Sequence, residues 1–218
     1  MTWSQLERGF HVIFEKFNTE ISKDCLTSIR VQPAAETWRF EQIKGIAKSI
    51  LYYESRIDSI LPERRSGIMK CERNGNSHKL RGKPLHEVFE ILDDVKQVDT
   101  IDKVARLMCA YEGKEVDETT QCTFSWNFAG LEEGHGPPRS QFIEFLQPPG
   151  STSFDDAELW IGLIVAFIEA AILEGNEIDP KNGPNTEMLK RFLRKGADSA
   201  RVPEKMTQAL GDLFEGKC

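Results

Sequence analysis

The sequence predicts an α+β domain in which a small antiparallel sheet packs against long helices. Two observations carry this. Three short β-branched or aromatic runs, Cys25–Gln32, Thr119–Phe128 and Gln141–Gln147, read as strands. Between and after them lie two apolar stretches long enough to be core helices, one from about Glu36 to Leu61 and one from Leu159 to Leu173.

Taken in order, Trp3, Leu6, Phe10, Ile13, Phe14 and Phe17 recur at mostly three- and four-residue steps, which predicts an amphipathic helix. CLTSIRVQP, Cys25 to Pro33, alternates so that Leu26, Ser28 and Arg30 share one side and Thr27, Ile29 and Val31 the other. Arg30 then projects from the more polar face. The helix from Glu36 carries Trp38, Ile43, Ile46, Ala47, Ile50, Leu51, Ile57 and Leu61 as its apolar stripe, and Pro62 should end it.

Pro62 to Pro84 has few apolar residues and many basic ones, Arg64, Arg65, Lys70, Arg73, Lys79, Arg81 and Lys83, punctuated by glycine and asparagine. It reads as a loop, either simply solvated or an anion-binding flap beside a site. Helices are expected over Leu85–Val95 and Thr100–Tyr111. A strand from Thr119 to Leu131 should then pair with Gln141–Gln147 across a Gly- and Pro-rich connection.

Pro148, Pro149 and Gly150 should stop that last strand. Ser153 follows as an N-cap, with Asp155 and Asp156 in the first helical turn where the helix dipole favours negative charge. The helix to Leu173 is apolar nearly all round but too short for a membrane span, which needs roughly 20 apolar residues. Two short helices, Thr186–Leu193 and Pro203–Phe214, close the chain.

The 218 residues are 39% hydrophobic and 29% charged, which suits one ordinary globular domain. A net charge of −7 argues against nucleic acid or an anionic membrane as the partner. The five cysteines form no CxxC pair, and MTWSQLERGF is no signal peptide, so reduced thiols and a cytoplasmic setting are expected. No dinucleotide, P-loop or nucleophile-elbow motif occurs, and the four histidines have no metal-ligand spacing.

Glu144 is the residue that needs explaining. A carboxylate inside an apolar strand must be paired, liganded or set in a cleft. Arg30 or Arg139 would satisfy it without any function.

Several stretches in order resemble one family, the amidoligases, as they occur in fungal proteins. CLTSIRVQP stands where the family typically reads CGTHVHV, and the long helix closes in LPERR where the family has LPxxRR. FSWNFAGL carries the WNF triplet, and FIEFLQPPGS matches EFRxxxG before the last core helix. The resemblance spans about residues 3 to 175, leaving 176–218 as a polar helical extension. It implies a glutamine-synthetase-like fold, of which this chain resembles the C-terminal part. It also implies the joining of a carboxylate to an amine through an acyl phosphate, with ATP and magnesium.

Carried over by motif, Glu144 and Arg30 are the candidate catalytic pair, and Asn127, Arg64 and Arg65 the candidate substrate-binding residues. Glu144 is a metal ligand only if magnesium is bound. The departures are specific. Ser28 and Arg30 stand where the family has two histidines, and Leu146 replaces the arginine of EFR. Only 24 residues precede Cys25, where family members carry further acidic strands. Arginine cannot serve as a neutral base as histidine can.

The expectation is therefore a divergent, shortened member unable to use ATP, acting as a binding, accessory or repurposed protein in specialised metabolism. Its partner would be a small-molecule ligand or a protein, and an exposed sheet edge would allow self-association. The alternative is an ATP-dependent carboxylate–amine ligase. No cofactor is assigned outside that alternative.

Overall fold

A computed structural model describes residues 3–16, 25–34, 37–61, 71–110, 124–132 and 141–215. Among them are seven α-helices: α1 Trp3–Lys16, α2 Phe40–Ile60, α3 Leu85–Asp93, α4 Ile101–Met108, α5 Phe154–Glu174, α6 Thr186–Ala200 and α7 Glu204–Phe214. Three short strands, β1 Ile29–Val31, β2 Trp126–Asn127 and β3 Ile143–Phe145, form an antiparallel sheet in the order β1-β3-β2. The α+β arrangement of a small sheet on long helices is the one the sequence predicts.

The apolar character of α5 explains its place. Trp160, Leu163, Ile164, Phe167, Ile168 and Ala171 are all buried, and the helix packs against α2, α6, α7 and the sheet. Ser153 caps it as expected. Its hydroxyl accepts from the Asp156 amide at 3.1 Å, and the Asp156 carboxylate accepts from the Ser153 amide at 3.2 Å. No described helix is long and apolar enough to cross a membrane. The ring of Trp126 lies 4.5 Å from that of Phe145 and 5.1 Å from that of Phe167, so one sheet face is fused to α5 by aromatic packing.

Where α6 crosses α5, the helices meet at Gly196. A Cβ there would collide with the Ala166 carbonyl, so only glycine lets the backbones approach this closely.

Several boundaries differ from expectation. The long helix begins at Phe40, with Arg39 still extended and its amide bonded to the Gln42 side chain at 2.9 Å; Glu36 lies outside the described residues. The third predicted helix stops at Asp93 because the Asp94 carboxylate turns the chain, accepting from the Lys96 amide at 3.0 Å. The fourth ends at Met108, and Tyr111 lies outside the described residues. The penultimate helix runs to Ala200 rather than Leu193, since Gly196 and Ala197 are buried against α5. It stops at Arg201, whose φ of 54° is left-handed.

The strand expected over Thr119–Leu131 is ladder-paired only at Trp126 and Asn127. Residues 129–131 instead turn into a short 3-10 helix, because the Asn127 Oδ1 accepts from the Ala129 amide at 2.9 Å. Residues 119–123 lie outside the described part.

The basic stretch from Pro62 to Pro84 is not the simple loop its composition suggests. Residues 62–70, with Arg64, Arg65 and Lys70, lie outside the described residues. The remainder is packed, with Asn74, Ser77 and Leu80 buried. Asn74 behaves as a strand surrogate. Its amide donates to the Met108 and Trp126 carbonyls at 3.1 and 2.8 Å and its oxygen accepts from the Trp126 amide at 3.1 Å. Composition counts the polar groups of such a segment; it does not show that they close on buried backbone.

Candidate functional site

Strand alternation separates the sheet into two chemically distinct faces. Ile29, Phe145 and Trp126 lie in register across the three strands and are buried in the core. The next row is Arg30, Glu144 and Asn127, with Glu144 the Cα partner of both neighbours. Because consecutive side chains on a strand point to opposite faces, this row lies on the side away from the aromatic core.

The row is one hydrogen-bonded unit. Glu144 Oε1 accepts from the Ser28 hydroxyl at 2.6 Å and from Arg30 Nε at 2.8 Å. Its Oε2 accepts from Asn127 Nδ2 at 3.3 Å. Burial pushes the Glu144 carboxyl up, but the donors Ser28, Arg30 and Asn127 together with the guanidinium charge outweigh it. The net result lies below the usual glutamate value. Glu144 therefore stays anionic at neutral pH and is a poor proton acceptor.

Glu144 is 5% exposed, whereas the Arg30 side chain is 63% exposed. The guanidinium lies 4.7 Å over the ring of Phe142, which holds its plane. With Nε on Glu144, its two terminal nitrogens take no partner among the described residues. That leaves a planar two-pronged donor of the kind that matches a carboxylate or phosphate. Ser28 is also exposed, and Asn127 half-buried, so this face can be reached by a ligand.

The structure thus brings together Glu144, Arg30 and Asn127. Arg64 and Arg65 lie outside the described residues. Of the flap's other basic residues, Arg73 pairs with Asp58 at 2.5 Å and Arg81 with Glu72 at 4.0 Å. Among the described residues, only Ser28, Arg30 and Asn127 bond Glu144.

A magnesium ion does not fit this set. Magnesium demands near-octahedral oxygen coordination, usually around one or two carboxylates with water and phosphate oxygens. Here both carboxylate oxygens are already taken by donors, and one of these is a guanidinium. Among the described residues no group of three or more His, Cys, Asp or Glu side chains could hold a metal.

Two buried charges on α2 were not singled out by sequence reasoning. Glu54, on α2, accepts from the Gly75 amide at 3.1 and 3.4 Å, and burial above all pushes its carboxyl up to about 7. Lys48 is buried and bonds both oxygens of Asp93 at 2.7 Å. Both have a sequence signal. Glu54 falls three or four residues from Ile50, Leu51 and Ile57, and Lys48 falls between Ala47 and Ile50, so each charge interrupts the apolar stripe of α2.

No family model, no curated protein and no solved structure matches this chain.

Proposed function

We propose that this protein is a divergent, amidoligase-like binding or accessory protein of the cytoplasm that does not use ATP. Its open sheet face would capture a small anionic ligand on Arg30. The observation that supports this reading is the state of Glu144. The carboxylate that the family resemblance would offer to magnesium is here the acceptor for Ser28, Arg30 and Asn127. A carboxylate so used orients an arginine; it does not organise a nucleotide.

In this reading Glu144 and Phe142 position the guanidinium, and the terminal nitrogens of Arg30 supply the charge-assisted hydrogen bonds. The resemblance to enzymes of specialised metabolism makes a carboxylate-bearing metabolite the expected ligand class.

Calorimetric titration tests both halves. With a non-hydrolysable ATP analogue and magnesium, no heat of binding is expected up to millimolar nucleotide. With succinate or inorganic phosphate, saturable binding is expected that Arg30→Gln reduces at least tenfold. Saturable magnesium–nucleotide binding weakened by Glu144→Gln would restore ATP-dependent ligation and overturn the reading.

A further inference from the structure

The chain contains two Asn–Gly pairs, Asn74–Gly75 and Asn182–Gly183, and the fold puts them in opposite situations. An asparagine followed by glycine carries its own reaction. The glycine amide nitrogen can attack the asparagine Cγ, because glycine has no Cβ to hinder the five-membered ring that forms. Folding stops this where the nucleophile and the side-chain amide are both held.

At the first pair everything is held. Asn74 is buried, and its side chain is bonded to the Met108 and Trp126 carbonyls and to the Trp126 amide. The Gly75 amide, which would be the nucleophile, donates to Glu54 at 3.1 Å. At the second pair the reacting atoms are open. Asn182 and Gly183 are both exposed, and the Gly183 amide donates to nothing among the described residues. A Cβ built on Gly183 meets no heavy atom within 4 Å. The Asn182 side-chain amide donates to Asp179 Oδ2 at 3.1 Å, a contact between exposed residues with which water competes.

We propose that Asn182–Gly183 is a self-modification site, where the folded chain converts asparagine to aspartyl and isoaspartyl products while Asn74–Gly75 is preserved. The Gly183 nitrogen bonds to Asn182 Cγ and the Cγ–Nδ2 bond breaks. The amide nitrogen leaves as ammonia, taking the proton of the Gly183 amide. Water then opens the cyclic imide. Cleavage at Cγ gives aspartate, and cleavage at the main-chain carbonyl carbon gives isoaspartate, whose backbone runs through Cγ. The net change is one water consumed and one ammonia released.

The position gives the reaction a consequence. The link between α5 and α6 is tied to α2 here, since the Tyr52 hydroxyl donates to the Asn182 carbonyl and Arg56 Nε to the Pro184 carbonyl at 2.9 Å. Asn185 then caps α6, accepting from the Met188 amide at 2.8 Å. Either product sets a carboxylate beside Asp179 where a donor stood. The isoaspartyl form also routes the main chain away from the carbonyl that Tyr52 holds. Modification therefore loosens this link from α2. The proposal does not depend on the reading of the sheet face.

The test is peptide mapping by mass spectrometry of the full chain aged in mildly alkaline buffer, folded and in urea. In the folded chain, amide-to-acid conversion at Asn182 should be at least tenfold faster than at Asn74. Gly183→Ala, which the open space tolerates, should slow conversion at Asn182 at least tenfold. In urea the two sites should react at similar rates. Conversion at Asn182 no faster than at Asn74 in the folded chain would overturn the proposal, as would conversion undiminished by Gly183→Ala. Asn74 remaining slow in urea would also overturn it, because local sequence and not the fold would then protect that site.

Discussion

Arg30 and Glu144 are Cα partners across β1 and β3, and their side chains meet again at 2.8 Å although one is mostly exposed and the other buried. The same pairing that sets the backbone register therefore fixes the guanidinium in place. Replacing Arg30 by Met should lower stability by about 1 kcal/mol, because the exposed partner is screened by solvent. A double-mutant cycle with Glu144→Gln, read by urea unfolding, should return a coupling of the same order. A coupling of zero would mean the contact does not order the pair.

Asn74 should be far less replaceable. Its side chain satisfies two buried carbonyls and one buried amide, on Met108 and Trp126. Asn74→Ala leaves these groups without partners and should cost about 3 kcal/mol or more. Chemical denaturation checks the figure. Proteolysis should also begin near β2, since Trp126 depends on Asn74 on both its amide and its carbonyl.

Two carboxylates should respond to pH in opposite directions. Glu144 has a folded value below the unfolded one, so its contribution is present above the usual glutamate range and is lost as pH falls through the folded value. Glu54, facing Asp58, Arg73 and the Gly75 amide, has its value raised to about 7. Between the unfolded value and about 7 the folded state holds the extra proton, so this contribution declines as pH rises and levels off above it. The span is on the order of 3 kcal/mol, at about 1.4 kcal/mol per pKa unit. Glu54→Gln should flatten the fall between pH 5 and 8 in a series of thermal melts, and Glu144→Gln should leave that window unchanged.

The two glycines of α6 and α7 should behave as opposites. Gly196→Ala forces a Cβ into the Ala166 carbonyl and should destabilise by about 2 kcal/mol or more. Gly211→Ala meets nothing and should stabilise by about 0.5–1 kcal/mol. Melting curves of the two variants, compared side by side, check the crossing geometry.

The legible parts of the sequence were those governed by local periodicity and capping. Helix α5 was readable from Ser153, Asp155 and Asp156 followed by an apolar run, and the three strands from their β-branched and aromatic content. Glu144 stood out because its neighbours Ile143 and Phe145 are so apolar, and alternation put Ser28 and Arg30 on one face. The extents of β2 and α6 were not readable. Asn127 ends its strand by bonding Ala129, and Gly196 extends its helix by packing on Ala166, and both are tertiary effects. Asn74 was hidden for the same reason: a polar residue among lysines and glycines gives no sign that its amide will be buried beside a tryptophan.

The division of the sheet into an aromatic side and a polar side has a consequence for how this protein can change. Ile29, Phe145 and Trp126 hold the scaffold to α5, while Ser28, Arg30 and Asn127 contribute little to that attachment. Selection can therefore rewrite what the open side recognises, one residue at a time, without first having to restabilise the domain. Glu144 is the exception, because it is the acceptor on which all three neighbours converge. Variants of the sheet face that retain Glu144 should form a family of foldable binders with different tastes.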